Sequence, residues 1–256
     1  MKTFPLLLAA LTLFFSGCAH LSTRETLFQT SSITALMEGG YDGETTCGEL
    51  LRNGDFGLGT FQALDGEMVV LDGTVWKVRS DGAVVRMPDG ERTPFAAVTF
   101  FDADERGTVK PGSLDDLKQT IDALLPDPNL IYALRVSGTF PHVKARSVPR
   151  QIKPYPRLAD AVKNQTVFSF ADARGTLIGI RFPDFAAGVN VPGWHFHFIA
   201  DDRASGGHVL DCTIGSGTFA LDATPSFFMI LPRGTTGAIP SSDAHPSELE
   251  RIEKGR

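Results

Sequence analysis

Three of the chain's six histidines fall within residues 193–211, GWHFHFIADDRASGGHVLD. WHFHFIAD has strand character, and a strand repeats its face at every second residue. His195 and His197 therefore share one face, with Phe196 and Phe198 on the other. Residues 201–207 are turn-rich, and HVLDCTI returns to β-prone residues. A hairpin turning near Asp202-Arg203 sets His208 opposite His197 and on the same face. Three converging imidazoles are the donor set of a catalytic metal, with one position left for water or substrate. Imidazole suits zinc, iron, copper and nickel; zinc is favoured because it accepts three nitrogens and a water without redox demands. His142 and His245 stand alone and read as ordinary surface or hydrogen-bonded residues.

These histidines need a framework. Residues 40–87 are short β-prone runs cut by Gly and Asp, among them GEMVVLDG, TVWKVRS and AVVRM, and residues 95–101 form another strand. Ser113 then precedes LDDLKQTIDALLP, with Leu114, Leu117, Ile121, Leu124 and Leu125 three and four apart, acids in the first turn and Pro126 at the end. That is a Ser-capped amphipathic helix. NLIYALRVSGTF (129–140) reads as a strand and its turn, TVFSFADARGTLIGIRFPDF and residues 208–232 as further strands, and SELERIEKG as a short terminal helix. The sum is a β-rich α+β protein with few helices and a soft boundary in the proline-rich stretch at 149–163.

The first residues, MKTFPLLLAALTLFFSGCAH, are a targeting segment: Lys2, an apolar run from Leu6 to Phe15, then Ser16-Gly17-Cys18. The ending resembles the lipobox of bacterial lipoproteins, so residues 1–18 are expected to direct export, with Cys18 lipidated. A periplasmic or outer-membrane-anchored protein follows. Its removal leaves about 238 of the 256 residues, enough for one large domain or two intimately packed ones. With 42% hydrophobic and 21% charged residues and a net charge of -6, the chain is an ordinary globular protein without a basic surface for nucleic acid. The one basic stretch, 143-VKARSVPRQIKPYPR-157, reads as a loop or site wall. Cys47 and Cys212 make no disulfide framework, and Cys212 reads as a small buried hydrophobe.

GWHFH and the later Gly-Gly are loosely similar to a cupin motif, which supports a three-His oxygenase as an alternative; the glutamate that such a motif carries beyond the second histidine is missing. A far closer resemblance runs from about residue 27 to 253. Four segments in order, GDFGLGTFQALDGEMVVLDG, GTFPHVKARSVPRQ, GVNVPGWHFHFIADDRASGGHVLD and LERIE, resemble the α-acetolactate decarboxylase family. The resemblance implies two closely packed parts of mixed and antiparallel sheet within residues 27–256, with the metal in the cleft between them. It implies zinc on His195, His197 and His208, and conversion of (S)-2-acetolactate, a 2-hydroxy-3-oxo acid, to (R)-acetoin and carbon dioxide.

The resemblance further makes Glu67 and Glu253 the site acids, Arg146 the substrate-binding arginine and Thr60 a hydroxyl near the substrate. Glu250 is the other candidate for the terminal acid. Read from the residues alone, Glu67 is a surface residue, Arg146 a solvated loop charge, Thr60 a turn or strand hydroxyl, and the terminal glutamates serve helix capping or solubility. A homodimer is expected. The alternative to an enzyme, a metal- or ligand-binding lipoprotein without chemistry, predicts an open groove with these charges apart; a closed cleft argues against it.

Overall fold

The computed structural model describes residues 23–231 and 246–253. The leader, Cys18 and His245 lie outside the described residues. Among the described residues, two seven-stranded sheets dominate, with one short two-stranded pair of Thr45–Thr46 and Arg92–Thr93 beside them. The first runs, in spatial order, Ser226–Ile230, Thr26–Thr30, Ala96–Thr99, Phe56–Thr60, Glu67–Leu71, Thr74–Val78 and Val84–Arg86. It is mixed, because Ser226–Ile230 lies parallel to Thr26–Thr30 while the other pairs are antiparallel. The second runs Gly112–Ser113, Gly206–Ile214, Gly193–Ala200, Thr166–Phe182, Ile131–Ser147, Ser216–Thr224 and Glu105–Val109.

Gly206–Ile214 pairs both with Gly193–Ala200 and with the far half of Ile131–Ser147. Four strands thereby close into a small ring. Phe140, Val143, Ala145, Leu177, Phe196, Phe198, Val209 and Cys212 share the core cluster on its inner side. The helix Leu114–Asp122 packs on that cluster through Leu114, Leu117 and Ile121. Its start is fixed as the sequence predicts: Ser113 accepts from the Asp116 N–H, and Asp116 answers on the Ser113 N–H.

The outer face of the ring packs against the first sheet. Leu58, Val69, Leu71 and Ala97 of one sheet meet Ile131, Ala133, Ile178, Ile180 and Ile199 of the other. Each set alternates along its strand, so the seam is lined by apolar side chains from both sheets.

One expectation needs correction. NLIYALRVSGTF does not end in a turn: the strand continues from Ile131 to Ser147, so residues 143–147 are strand and not loop. Pairing with Thr166–Phe182 along nearly its whole length carries it through. The chain passes from the first sheet to the second between Thr99 and Glu105 and returns between Thr224 and Ser226, while residues 149–163 join two adjacent strands of the second sheet.

Candidate metal centre and active site

Strand phase brings the predicted residues to one end of the seam. Glu67 shares its face with Val69 and Leu71, so it points at the second sheet instead of at solvent. Burial leaves it 8% exposed, which overturns the surface reading. His195 and His197 share a face with Ile199 and look back at the first sheet. His197 pairs with His208 across the hairpin, as the turn at Asp202-Arg203 requires.

Arg146 reaches the same place by a phase shift. Tyr132, Leu134, Val136 and Phe140 occupy even positions in the ring core, whereas Val143 and Ala145 occupy odd ones. The change falls at Pro141, which drops out of the ladder between Phe140 and His142. Beyond it even positions face outward, and Arg146, directly across from His208, turns into the seam with 5% exposure. The sequence reading of Arg146 as a solvated loop charge is thus corrected.

The three imidazoles are buried and their ligand nitrogens lie within 4.8 Å of one another. His197 Nδ1–H donates to the Met68 carbonyl at 2.7 Å, across the two sheets. That bond fixes the tautomer and leaves the Nε2 lone pair free. Nε2 is buried with no hydrogen-bond partner. His208 Nε2–H donates to the Glu253 carbonyl at 3.1 Å, which frees Nδ1, and His195 Nε2 lies 2.9 Å from that nitrogen. An orphaned, buried imidazole nitrogen beside two more is what a metal's donor set leaves, and the residues fit an ion of the borderline class.

Two carboxyls flank this cluster. Glu67 Oε2 is 3.7 Å from His197 Nε2; Glu253 Oε2 is 3.6 Å from His195 Nε2 and 3.8 Å from His208 Nε2. Glu250, on the same helix Pro246–Glu253, is exposed, so of the two terminal glutamates it is Glu253 that lies beside the imidazoles. Arg146 Nη1 donates to Gln165 Oε1 at 3.1 Å, while Nε is buried without a partner. Thr60 pairs with Glu67 across the hairpin, and its hydroxyl donates to the Gly66 carbonyl at 2.7 Å. Its proton is committed to the turn that presents Glu67. These residues line one small chamber of about 40 Å³. A wider groove of about 400 Å³, walled by Ile33, Met37, Val191, Trp194 and Leu249, adjoins it at His195, His208 and Glu253.

Burial dominates the electrostatics. It pushes Glu67 up to about 7, against the pull of the Arg146 guanidinium and helped by Glu253. Glu253 rises to about 7 for the same reason, again opposed by Arg146. Burial, seconded by Arg146, holds His195 down at about 3, and His197 and His208 fall well below the usual imidazole value, mainly by desolvation. At neutral pH the imidazoles are therefore uncharged, the form that ligates, while each carboxyl exchanges a proton within reach of pH 7.

His142 is exposed and takes no part. Cys47 and Cys212 are buried free thiols in different clusters, each pushed up to about 12 first by burial. Met68 and Gln165 escaped the sequence reading. Met68 acts through its backbone, which no side-chain type announces, and Gln165 is one polar residue at the mouth of a loop.

Three buried imidazoles that could hold a metal, two carboxyls and an arginine thus meet at one end of the seam between the sheets. The cupin-like alternative fails on architecture, since the metal cluster lies between two packed sheets and on the outside of the small ring. The sequence profile described as alpha-acetolactate decarboxylase matches residues 27–237. A protein of that name from Methanosarcina mazei is 46% identical over 234 residues, covering 90% of this chain and 81% of its own. One from Methylococcus capsulatus is 44% identical over 230 residues, 89% and 87% of the two chains. The crystal structure of the Bacillus subtilis protein superposes with a TM-score of 0.86 at 35% identity, over 90% of this chain and all of that one. The chain belongs to the alpha-acetolactate decarboxylase family and is a carbon–carbon lyase.

Proposed function

We propose that the protein decarboxylates (S)-2-acetolactate to (R)-acetoin and carbon dioxide, with zinc held by His195, His197 and His208, outside the cytoplasm. The observation that carries this reading is the convergence of three neutral, buried imidazoles on a chamber that also holds Arg146, Glu67 and Glu253. Zinc, when bound, supplies a Lewis acid for the ketone and hydroxyl oxygens of a 2-hydroxy-3-oxo acid.

The chain's own groups do the rest. Arg146, with Nη1 turned to Gln165 and Nε unspent, offers donors for the substrate carboxylate. Loss of carbon dioxide leaves an electron pair that must end as a C–H bond, so one proton has to be delivered to one face. Glu67 and Glu253, both pushed to about 7, can hold such a proton, the first beside His197 and the second beside His195 and His208. Thr60 acts by holding the Gly66 turn that aims Glu67.

Export by residues 1–18, a lipid anchor on Cys18 and assembly as a homodimer are part of the proposal. The test is release of carbon dioxide and acetoin from racemic 2-acetolactate by metal-stripped protein, with and without one equivalent of zinc, followed by chiral analysis. Zinc-dependent release of both products in equal amounts, with (R)-acetoin in excess, supports it. Zinc-loaded protein with no release above the spontaneous background refutes it.

A further inference from the structure

The helix Pro246–Glu253 carries an acid of the site, yet little in its own sequence can hold it in place. Eight residues are too few for a helix to persist alone in water. Glu253 also sits at the last turn, where the backbone dipole disfavours a carboxylate. Placement must come from what the helix touches. Leu249 and Ile252, one helical face with Glu253, are buried against Ile33, Leu36, Met37, Leu158 and Ala161.

Beyond that face lies a bridge. Arg157 Nη2 is 2.9 Å from Glu248 Oε2 on the terminal helix and 2.9 Å from Glu38 Oε1. Glu38 caps the end of helix Ile33–Met37, and Arg157 precedes helix Leu158–Ala161. One guanidinium therefore joins three short helices around the chamber. Glu248 is five residues from Glu253, about 7.5 Å along the axis. A shift of the helix at Glu248 passes directly to the carboxyl beside His195 and His208.

We infer that Arg157 is a positioning residue for the reaction, setting the place of Glu253 through Glu248 and the terminal helix. The inference rests on the proposed role of Glu253 as an acid of the site. It differs from a general stabilising role in a way that can be measured, because Arg157 touches neither the chamber nor the imidazoles.

The test uses zinc-loaded protein and four variants: Arg157→Gln, Arg157→Lys, Glu253→Gln and the Arg157→Gln/Glu253→Gln double. Turnover and amide hydrogen exchange of residues 249–253 are measured for each. In Arg157→Gln, exchange in that helix is expected to speed up about tenfold or more, as a local element loses a tether. Its kcat falls about tenfold with KM within about twofold, because the misplaced group moves a proton and does not bind substrate. Arg157→Lys recovers most of both. The double variant should match Glu253→Gln alone within about twofold, since the two positions act through one carboxyl.

Multiplicative losses in the double variant, or unchanged exchange in Arg157→Gln, would overturn the inference. The exchange readout stands even if the wild-type protein shows no turnover, so failure of the decarboxylase reading is seen separately. Should Arg157→Gln not fold, Glu248→Gln cuts only the helix side of the bridge and carries the same expectations.

Discussion

Gly66 is the position at which a single methyl group should do most damage for its size. It has φ +88° and precedes Glu67, and an added Cβ would stand 2.5 Å from the Val78 carbonyl oxygen. The left-handed conformation costs an alanine about 1–2 kcal/mol. Relieving the contact pushes the Val78 carbonyl away, and that oxygen accepts the Ser147 hydroxyl at 2.8 Å. Weakening such a buried bond adds about 1 kcal/mol, for a total near 2–3 kcal/mol. The displacement lands on both sides of the site: Glu67 is the next residue, and Ser147 follows Arg146. Gly66→Ala should therefore lose about 2–3 kcal/mol in urea unfolding, and its kcat/KM for acetoin release should fall at least about tenfold. Gly73→Ala is the control. Gly73 is also left-handed, at φ +69°, but nothing lies within 4 Å of its Cβ position. It should cost only the conformational part, about 1–2 kcal/mol, with activity intact. If the two variants behave alike in both assays, the contact with Val78 does not hold the site and the reasoning fails.

Further outcomes follow from other parts of the molecule. Asp222 is pushed up to about 7, chiefly by burial and against the Asp102 N–H that it accepts at 3.3 Å. Between its ordinary value and about 7 the folded chain holds a proton that the unfolded chain releases, so this contribution to stability is present in acid and lost as pH rises. Asp222→Asn should accordingly be near neutral at pH 4 and stabilising by about 1–4 kcal/mol at pH 8; an equal effect at both would exclude a buried ionisation. Chelation of the ion should lower the unfolding free energy, by about 2.7 kcal/mol from a state with free zinc at a hundred times its dissociation constant. His197→Gln should abolish that dependence, and retention of one tightly bound zinc would remove His197 from the donor set. Cys18→Ser should move the protein from the membrane fraction to the soluble extracytoplasmic one, seen by fractionation and loss of lipid labelling. Unchanged membrane association would dismiss the lipid anchor.

Much of this site was legible before any coordinates, and the reasons differ by residue. The histidine hairpin could be read because a period of two and a turn at Asp202-Arg203 fix register locally, and the fold keeps His197 opposite His208. The helix Leu114–Asp122 was legible for the same kind of reason, since its cap and apolar spacing are both local. Glu67 was opaque because MVVL after it is apolar on both faces, so alternation gave no inside and outside. Met68 and Val70 pack into one cluster and Val69 and Leu71 into another. Arg146 was hidden among Lys144, Arg150 and Lys153, and the phase change at Pro141 reversed the face a simple count would assign. Family resemblance pointed to both residues; pattern alone did not. The terminal helix was visible as an element, whereas its docking at the chamber depends on contacts with residues 33–37 and 158–161 that no local signal announces.

All three imidazoles belong to one hairpin, fourteen residues from His195 to His208, while Glu67, Arg146 and Glu253 arrive from three distant parts of the chain. The donor set is therefore one local stretch of sequence, but its tautomers are not: His197 is set by the Met68 carbonyl of the first sheet and His208 by the Glu253 carbonyl of the last helix. A change that loosens either distant element reaches the imidazoles without altering a single ligand.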